Sequence, residues 1–255
     1  MKRCLIIANW KMNPLIPAEA KRLLDLILKD SKGEQNFDLV ICPPFIFLAD
    51  FANFYSANRQ KTGNVFLGAQ NCFWEKAGAY TGEISPVMLK NYGCLYVIVG
   101  HSERRQLFNE NDEIVRKKLQ AAIKAGLSPI LCLGETENES MPTVIEQQLK
   151  DDLRDYPTAQ LKNLIIAYEP IWAIGTDKFC QPEKAMEACL LIRRILSQLY
   201  GRHLAEKIMI LYGGSVNEQN AADYLKIAGM DGLLIGHSSL DIKVFIKILR
   251  SFNNS

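Results

Sequence analysis

Short apolar runs alternate with longer stretches of helical periodicity along the whole chain. The runs are Leu5–Ala8, Leu39–Cys42, Asn64–Ala69, Leu95–Gly100, Pro129–Leu133, Leu164–Ala167, Ile208–Tyr212 and Gly232–Ile235. Each is near-continuous rather than alternating, as expected of parallel strands buried on both faces. Helical patterns fill the intervals, over 18–30, 45–55, 112–125, 142–155, 182–201, 217–227 and on to Phe252. In the first, Ala20, Leu23, Leu24, Ile27 and Leu28 share one face, and Pro17 suits the opening turn. A shorter helix is expected at Pro86, with Ser85 as its N-cap. Gly126 ends the 112–125 helix.

Eight strand–helix units in 255 residues predict an α/β fold, a closed (β/α)₈ barrel, as one domain over 1–255. The alternative is an open doubly wound sheet. That fold often carries a Gly-x-Gly-x-x-Gly turn after its first strand, whereas here the strand runs into Asn9-Trp10-Lys11.

Composition narrows the partners more than the fold. The chain is 48% hydrophobic and 23% charged, with net charge +2 and no long run of one sign. A dedicated nucleic-acid or membrane-surface binder is not expected. No stretch is long and apolar enough for a spanning helix, and the apolar run after Met1 is too short for a signal peptide. The seven cysteines are odd in number and form no C-x-x-C pair, which suits reduced thiols in a cytoplasm. Histidines 101, 203 and 237 are scattered and make no metal-ligand spacing.

In a barrel of this kind the site lies at the C-terminal ends of the strands. Asn9 and Lys11 follow the first strand, and His101, Ser102, Glu103 and Arg104 the fourth. Glu169 follows the sixth, Gly213-Gly214-Ser215 the seventh and Gly236-His237-Ser238 the eighth. A carboxylate where an apolar strand stops is a candidate general base. Each of these residues alone reads as ordinary: a surface lysine, a structural histidine, a turn. Their joint placement at equivalent strand ends is what suggests a site. The glycine turns would offer backbone N–H groups to an anion such as phosphate. After Glu169, Pro170 and the bulky residues up to Gly175 suit a lid that excludes water.

These segments carry a family resemblance. Ala8-Asn9-Trp10-Lys11-Met12-Asn13, Gly78–Glu83, Gly100–Arg105, Ala167–Thr176 and Tyr212–Val216 resemble the triosephosphate isomerases in order and spacing, from first strand to last helix. The resemblance implies interconversion of dihydroxyacetone phosphate and glyceraldehyde 3-phosphate through an enediolate, in glycolysis and gluconeogenesis, with no metal or cofactor needed. It implies Glu169 as the base, His101 as hydrogen-bond donor to the substrate oxygens, and Lys11 as the cation offsetting enediolate charge. Asn9 would help position that oxygen, and Glu103 would support Lys11. Asn9, Lys11, Gly175, Ser215, Gly236 and His237 would bind the substrate, the phosphate mainly through backbone N–H groups. The lid would comprise Pro170, Ile171, Trp172, Ala173, Ile174, Gly175, Thr176, Asp177, Lys178, Phe179 and Cys180.

A homodimer is also implied. The loop 70–83 would enter the neighbouring subunit, burying Cys72, Phe73 and Trp74, with Thr81 near that subunit's active-site edge. The chain departs from the family pattern at Pro14, Asp177, Phe179, Cys180 and His237. Other readings are a phosphate-binding regulatory barrel and a different phosphosugar isomerase on the same scaffold.

Overall fold

The computed structural model describes residues 3–31, 36–57, 63–175 and 178–252. Eight parallel strands close into a barrel in sequence order: β1 Cys4–Asn9, β2 Phe37–Cys42, β3 Val65–Ala69, β4 Tyr96–Val99, β5 Ser128–Leu133, β6 Ile165–Tyr168, β7 Met209–Tyr212 and β8 Gly232–Ile235. Closure is made by β1 on β8, with Leu5 opposite Gly232 and Ala8 opposite Ile235.

The continuous apolar runs have a direct cause. Within β1, Leu5 and Ile7 point into the barrel, while Ile6 and Ala8 pack outward against the helices. Both faces are therefore dry. Val40, Ile98, Ile130 and Leu211 join Leu5 and Ile7 to fill the interior. The barrel is a packed core, so a ligand can be received only at its ends. Cys42 and Cys132 are small fillers of that interior. All seven cysteines are free, and six are buried. Burial pushes the Cys72 and Cys94 thiols up to about 12, so they remain protonated and inert.

The outer helices are α1 Pro17–Asp30, α2 Leu48–Ala57, α3 Pro86–Asn91, α4 Ser102–Leu107, α5 Asp112–Lys124, α6 Met141–Asp152, α7 Pro182–Tyr200, α8 Arg202–Lys207, α9 Ala221–Lys226 and α10 Ile242–Ser251. Helix α1 buries Ala20, Leu23, Leu24 and Ile27, the face expected from periodicity. Ser85 caps α3 by accepting the Met88 N–H at 3.1 Å.

Three elements differ from the sequence reading. The 217–227 helix shrinks to α9, because Asn217 and Asn220 fold the preceding residues into a side-chain-bonded turn. Asn217 Oδ1 accepts from Gln219 and Asn220, and Asn220 Oδ1 accepts from Asn217. Gly201, at φ +84°, separates α7 from a second short helix, α8. Helix α4 was not anticipated: five of its six residues are polar and Leu107 alone sets no apolar periodicity. No helix of the described residues is long and apolar enough to cross a membrane.

Candidate active site

The strand ends gather the expected residues around one cavity of about 650 Å³. Asn9 closes β1 and is almost fully buried. Its Oδ1 accepts the Lys11 N–H at 3.0 Å and so tightens the turn between them. Lys11 sits at φ +52°, a conformation that costs a lysine on the order of 1 kcal/mol or more. Gln70, just past β3, holds it there: its Nε2 donates to the Lys11 and Cys42 carbonyls at 2.8 and 2.9 Å. The Lys11 ammonium then lies 2.6 Å from Glu103 Oε1. Its stem passes over Gly236, where a Cβ would stand 3.1 Å from Lys11 Cε. Glycine at 236 therefore makes room for the lysine.

His101 follows β4 and caps α4. Its Nδ1 accepts the Glu103 N–H at 3.2 Å, which assigns the ring proton to Nε2 and leaves the imidazole neutral. Nε2 faces Glu169 Oε1 at 3.2 Å, off the direction of a good hydrogen bond.

Glu169 continues the β6 ladder, its N–H donating to the Leu133 carbonyl at 2.8 Å. Its side chain is 2% exposed. Oε2 accepts the Ser102 N–H at 3.0 Å, whereas Oε1 is buried without a hydrogen-bond partner among the described residues. The backbone beside it is tightly enclosed: a Cβ at Gly134 would lie 1.9 Å from the Glu169 carbonyl oxygen. Underneath is Cys132. Burial, reinforced by the neighbouring Glu169 carboxylate, pushes that thiol well above its ordinary range, so no second acid–base group competes there.

The segment expected to form a lid starts as a 3₁₀ turn, Ile171–Ala173. Glu135, past β5, holds its front. The Glu135 carbonyl accepts the Ile171 N–H at 2.9 Å, and its carboxylate accepts Trp172 Nε1 at 2.9 Å and Tyr168 Oη at 3.1 Å. Lys184 Nζ stands 4.8 Å from the Trp172 ring centroid. Ala173 O accepts both the N–H and the hydroxyl of Ser215, at 3.0 and 2.6 Å. Gly175 is exposed at φ +66°. At the rear, Phe179 is half-exposed and lines the cavity with Ile174. Cys180 is buried, and its carbonyl accepts from Tyr224 Oη at 2.7 Å. Thr176 and Asp177 lie outside the described residues.

At the turn after β8, expected to receive an anion, the N–H groups of Gly236 and His237 have no acceptor among the described residues. His237 is exposed and begins a 3₁₀ turn to Ser239. The Ser215 N–H, expected to serve an anion, is instead bonded to the Ala173 carbonyl.

The structure corrects the expectation for Cys72. It is 1% exposed within the single chain, its Sγ against the Lys118 carbonyl, so it leaves nothing for a second subunit. Phe73 and Trp74 remain half-exposed, stacked at 3.9 Å, with Tyr80 at 4.7 Å from Phe73. Thr81 is exposed.

Gln70, Ser102 as a backbone donor, Cys132 and Glu135 were not read as site residues from the sequence. Gln70 and Glu135 follow the third and fifth strands, so the strand-end rule applied to every strand would have found them. No group of three or more His, Cys, Asp or Glu side chains among the described residues is arranged to hold a metal ion.

The family model for triosephosphate isomerase matches residues 4–252. The triosephosphate isomerase of Aquifex aeolicus is 46% identical, with 98% of this chain and 100% of that protein covered. The Dictyoglomus turgidum enzyme of the same name is 45% identical over the same shares. The crystal structure of triosephosphate isomerase from Bartonella henselae superposes with a TM-score of 0.85 at 36% identity, covering 98% of this chain and 99% of that one.

Proposed function

The chain belongs to the triosephosphate isomerase family, and on that premise we propose how its site divides the work of isomerisation. The reaction interconverts dihydroxyacetone phosphate and D-glyceraldehyde 3-phosphate. Glu169 removes the proton from the hydroxyl-bearing carbon next to the carbonyl. The C–H electron pair becomes the carbon–carbon double bond, and the carbonyl oxygen becomes the enediolate oxygen. Returning the proton to the neighbouring carbon, with the hydroxyl proton passing to the former carbonyl oxygen, completes the isomerisation. The observation that carries this is the buried Glu169 Oε1, without a hydrogen-bond partner among the described residues and facing the proton-bearing Nε2 of His101 across the cavity wall.

His101 donates from Nε2 to the substrate oxygens. Because its ring is neutral, it can also yield that proton as charge moves between them. Lys11 offsets the enediolate charge, and its fixed position matters because that charge develops only along the reaction. Glu103 orients Lys11, and Asn9 fixes the turn that presents it. The phosphate takes the N–H groups of Gly175, Ser215, Gly236 and His237. Ser215 must first leave Ala173, so phosphate binding is coupled to lid movement. The lid, 170–180, then shuts water away from an intermediate that would otherwise lose phosphate. The chemistry as written uses side chains and backbone alone.

A homodimer completes the reading. Phe73, Trp74 and Tyr80, with exposed Met12, Leu15 and Ile46, offer apolar surface for a second copy. Glycolysis and gluconeogenesis in the cytoplasm suit a chain whose seven thiols are unpaired.

The test is isomerisation of either triose phosphate in deuterium oxide. A base-mediated proton transfer puts solvent deuterium on the carbon beside the product carbonyl. Product free of solvent label would mean an internal hydride shift and would remove Glu169 from its role.

A further inference from the structure

The loop after β5 touches the lid at both ends. Glu135 grips the front, through Ile171 and Trp172. At the rear, Lys178 Nζ lies 3.1 Å from Glu137 Oε1. Of the neighbouring acids, Glu135 is taken by Tyr168 and Trp172, and Glu139 by the N–H and hydroxyl of Thr136 at 2.8 and 2.7 Å. Glu137 is the one directed at the lid's lysine.

The lid position in this structure is the one that precedes phosphate binding. Ala173 O holds both Ser215 donors, and the phosphate needs one of them. The Glu137–Lys178 pair therefore belongs to the substrate-free position. Behind it the chain is anchored at buried Cys180, and ahead of it Gly175 stands at φ +66°. Lys178 lies between those two points in the chain.

We propose that the Glu137–Lys178 ion pair is a latch holding the rear of the lid in its substrate-free position. Glu137 is then a positioning residue for the isomerisation, acting through the lid. This rests on the reading of 170–180 as the lid. Both side chains are about two-thirds exposed, at 67% and 68%, so the attraction is weak and screened by salt. Weakness suits the task. A buried pair would oppose closure at every turnover, whereas an exposed one biases the resting state and yields when phosphate arrives.

The experiment measures binding of 2-phosphoglycolate, a small phosphate-bearing carboxylate that resembles the enediolate, by calorimetry on the full chain. Wild type, Glu137→Gln and Lys178→Gln are compared at low and high salt. A latch makes both variants bind roughly two- to fivefold tighter than wild type at low salt, with the gap closing at about 0.5 M. A general field effect would give opposite signs, because one variant removes a negative charge and the other a positive one. Opposite signs, unchanged affinity or a salt-independent gap would overturn the latch. The lid reading is checked separately, from the fluorine resonance of 5-fluorotryptophan at position 172. If that resonance ignores the ligand in wild type, the lid reading fails and the latch with it. If it responds while the variants bind like wild type, only the latch fails.

Discussion

The Ser102 N–H donates to one oxygen of the Glu169 carboxylate at 3.0 Å, and the His101 ring faces the other at 3.2 Å. These neighbours open the same short helix, α4, so one local fold positions both the base and its hydrogen-bonding partner. The arrangement makes Glu169→Gln a clean substitution. The amide oxygen can still accept the Ser102 N–H, and the residue keeps its shape and burial. Only the basic oxygen is lost. The turnover rate should fall at least about a thousandfold, roughly 4 kcal/mol of transition-state stabilisation. A loss below about tenfold in steady-state kinetics would remove Glu169 as the carbon base.

Behind that helix lies an ion cluster that bears on stability. Glu110 and Lys118 are both nearly fully buried. Glu110 Oε1 receives Arg104 Nε and Lys118 Nζ, and Lys118 also donates to Asn71 Oδ1 at 2.8 Å. Burial holds the Lys118 ammonium below its ordinary value, and Glu110 works against that shift. Glu110→Gln leaves the buried Lys118 ammonium and the partly exposed Arg104 facing a neutral amide. Stability should fall by about 3–5 kcal/mol. Thermal unfolding at a fixed protein concentration should show a midpoint lower by roughly 6–20 °C. A shift under about 2 °C would show that the cluster contributes little. The turnover of the protein that remains folded should match wild type.

Assembly gives a third outcome. Phe73 and Trp74 stack on each other yet stay half-exposed, and Lys117 Nζ lies 5.7 Å from the Trp74 ring centroid. Sedimentation at micromolar concentration should give about twice the chain mass. Trp74→Asp should shift the species toward monomer and lower activity with it. A wild-type monomer with full activity would contradict the dimer.

The barrel was legible because its signal repeats. Eight apolar runs at regular intervals leave little freedom once both faces must be buried, as Leu5 and Ile6 illustrate from opposite sides of one strand. The strand-end residues were legible for the same reason, since the fold determines where they meet. Contacts made by backbone groups were not. Nothing in the serine side chain announces that the Ser102 N–H serves Glu169. The turn at Asn217 and Asn220 escaped because two side-chain amides override a passable helical pattern. Cys72 escaped because its neighbours in sequence, Phe73 and Trp74, point to a different environment. A loop residue can turn inward beside residues that do not, and composition carries no sign of it.

His237 separates what a backbone does from what a side chain does. It lines the cavity beside Gly236, exposed, at the first position of a 3₁₀ turn. Its N–H is the group assigned to the phosphate, and every residue but proline supplies one. Proline suits the opening position of a helical turn, where φ is near its fixed value and the N–H is not needed for the turn itself. His237→Gly keeps the donor and deletes the imidazole, while His237→Pro deletes the donor. If the backbone carries the contact, the glycine variant should hold KM for glyceraldehyde 3-phosphate within about twofold of wild type. The proline variant should raise it by roughly 10- to 150-fold, corresponding to a charge-assisted hydrogen bond of about 1.5–3 kcal/mol. Both should unfold within a few degrees of wild type, which keeps misfolding out of the comparison. A proline variant with an unchanged KM would remove residue 237 from the phosphate site. A glycine variant as impaired as the proline one would transfer the role to the imidazole.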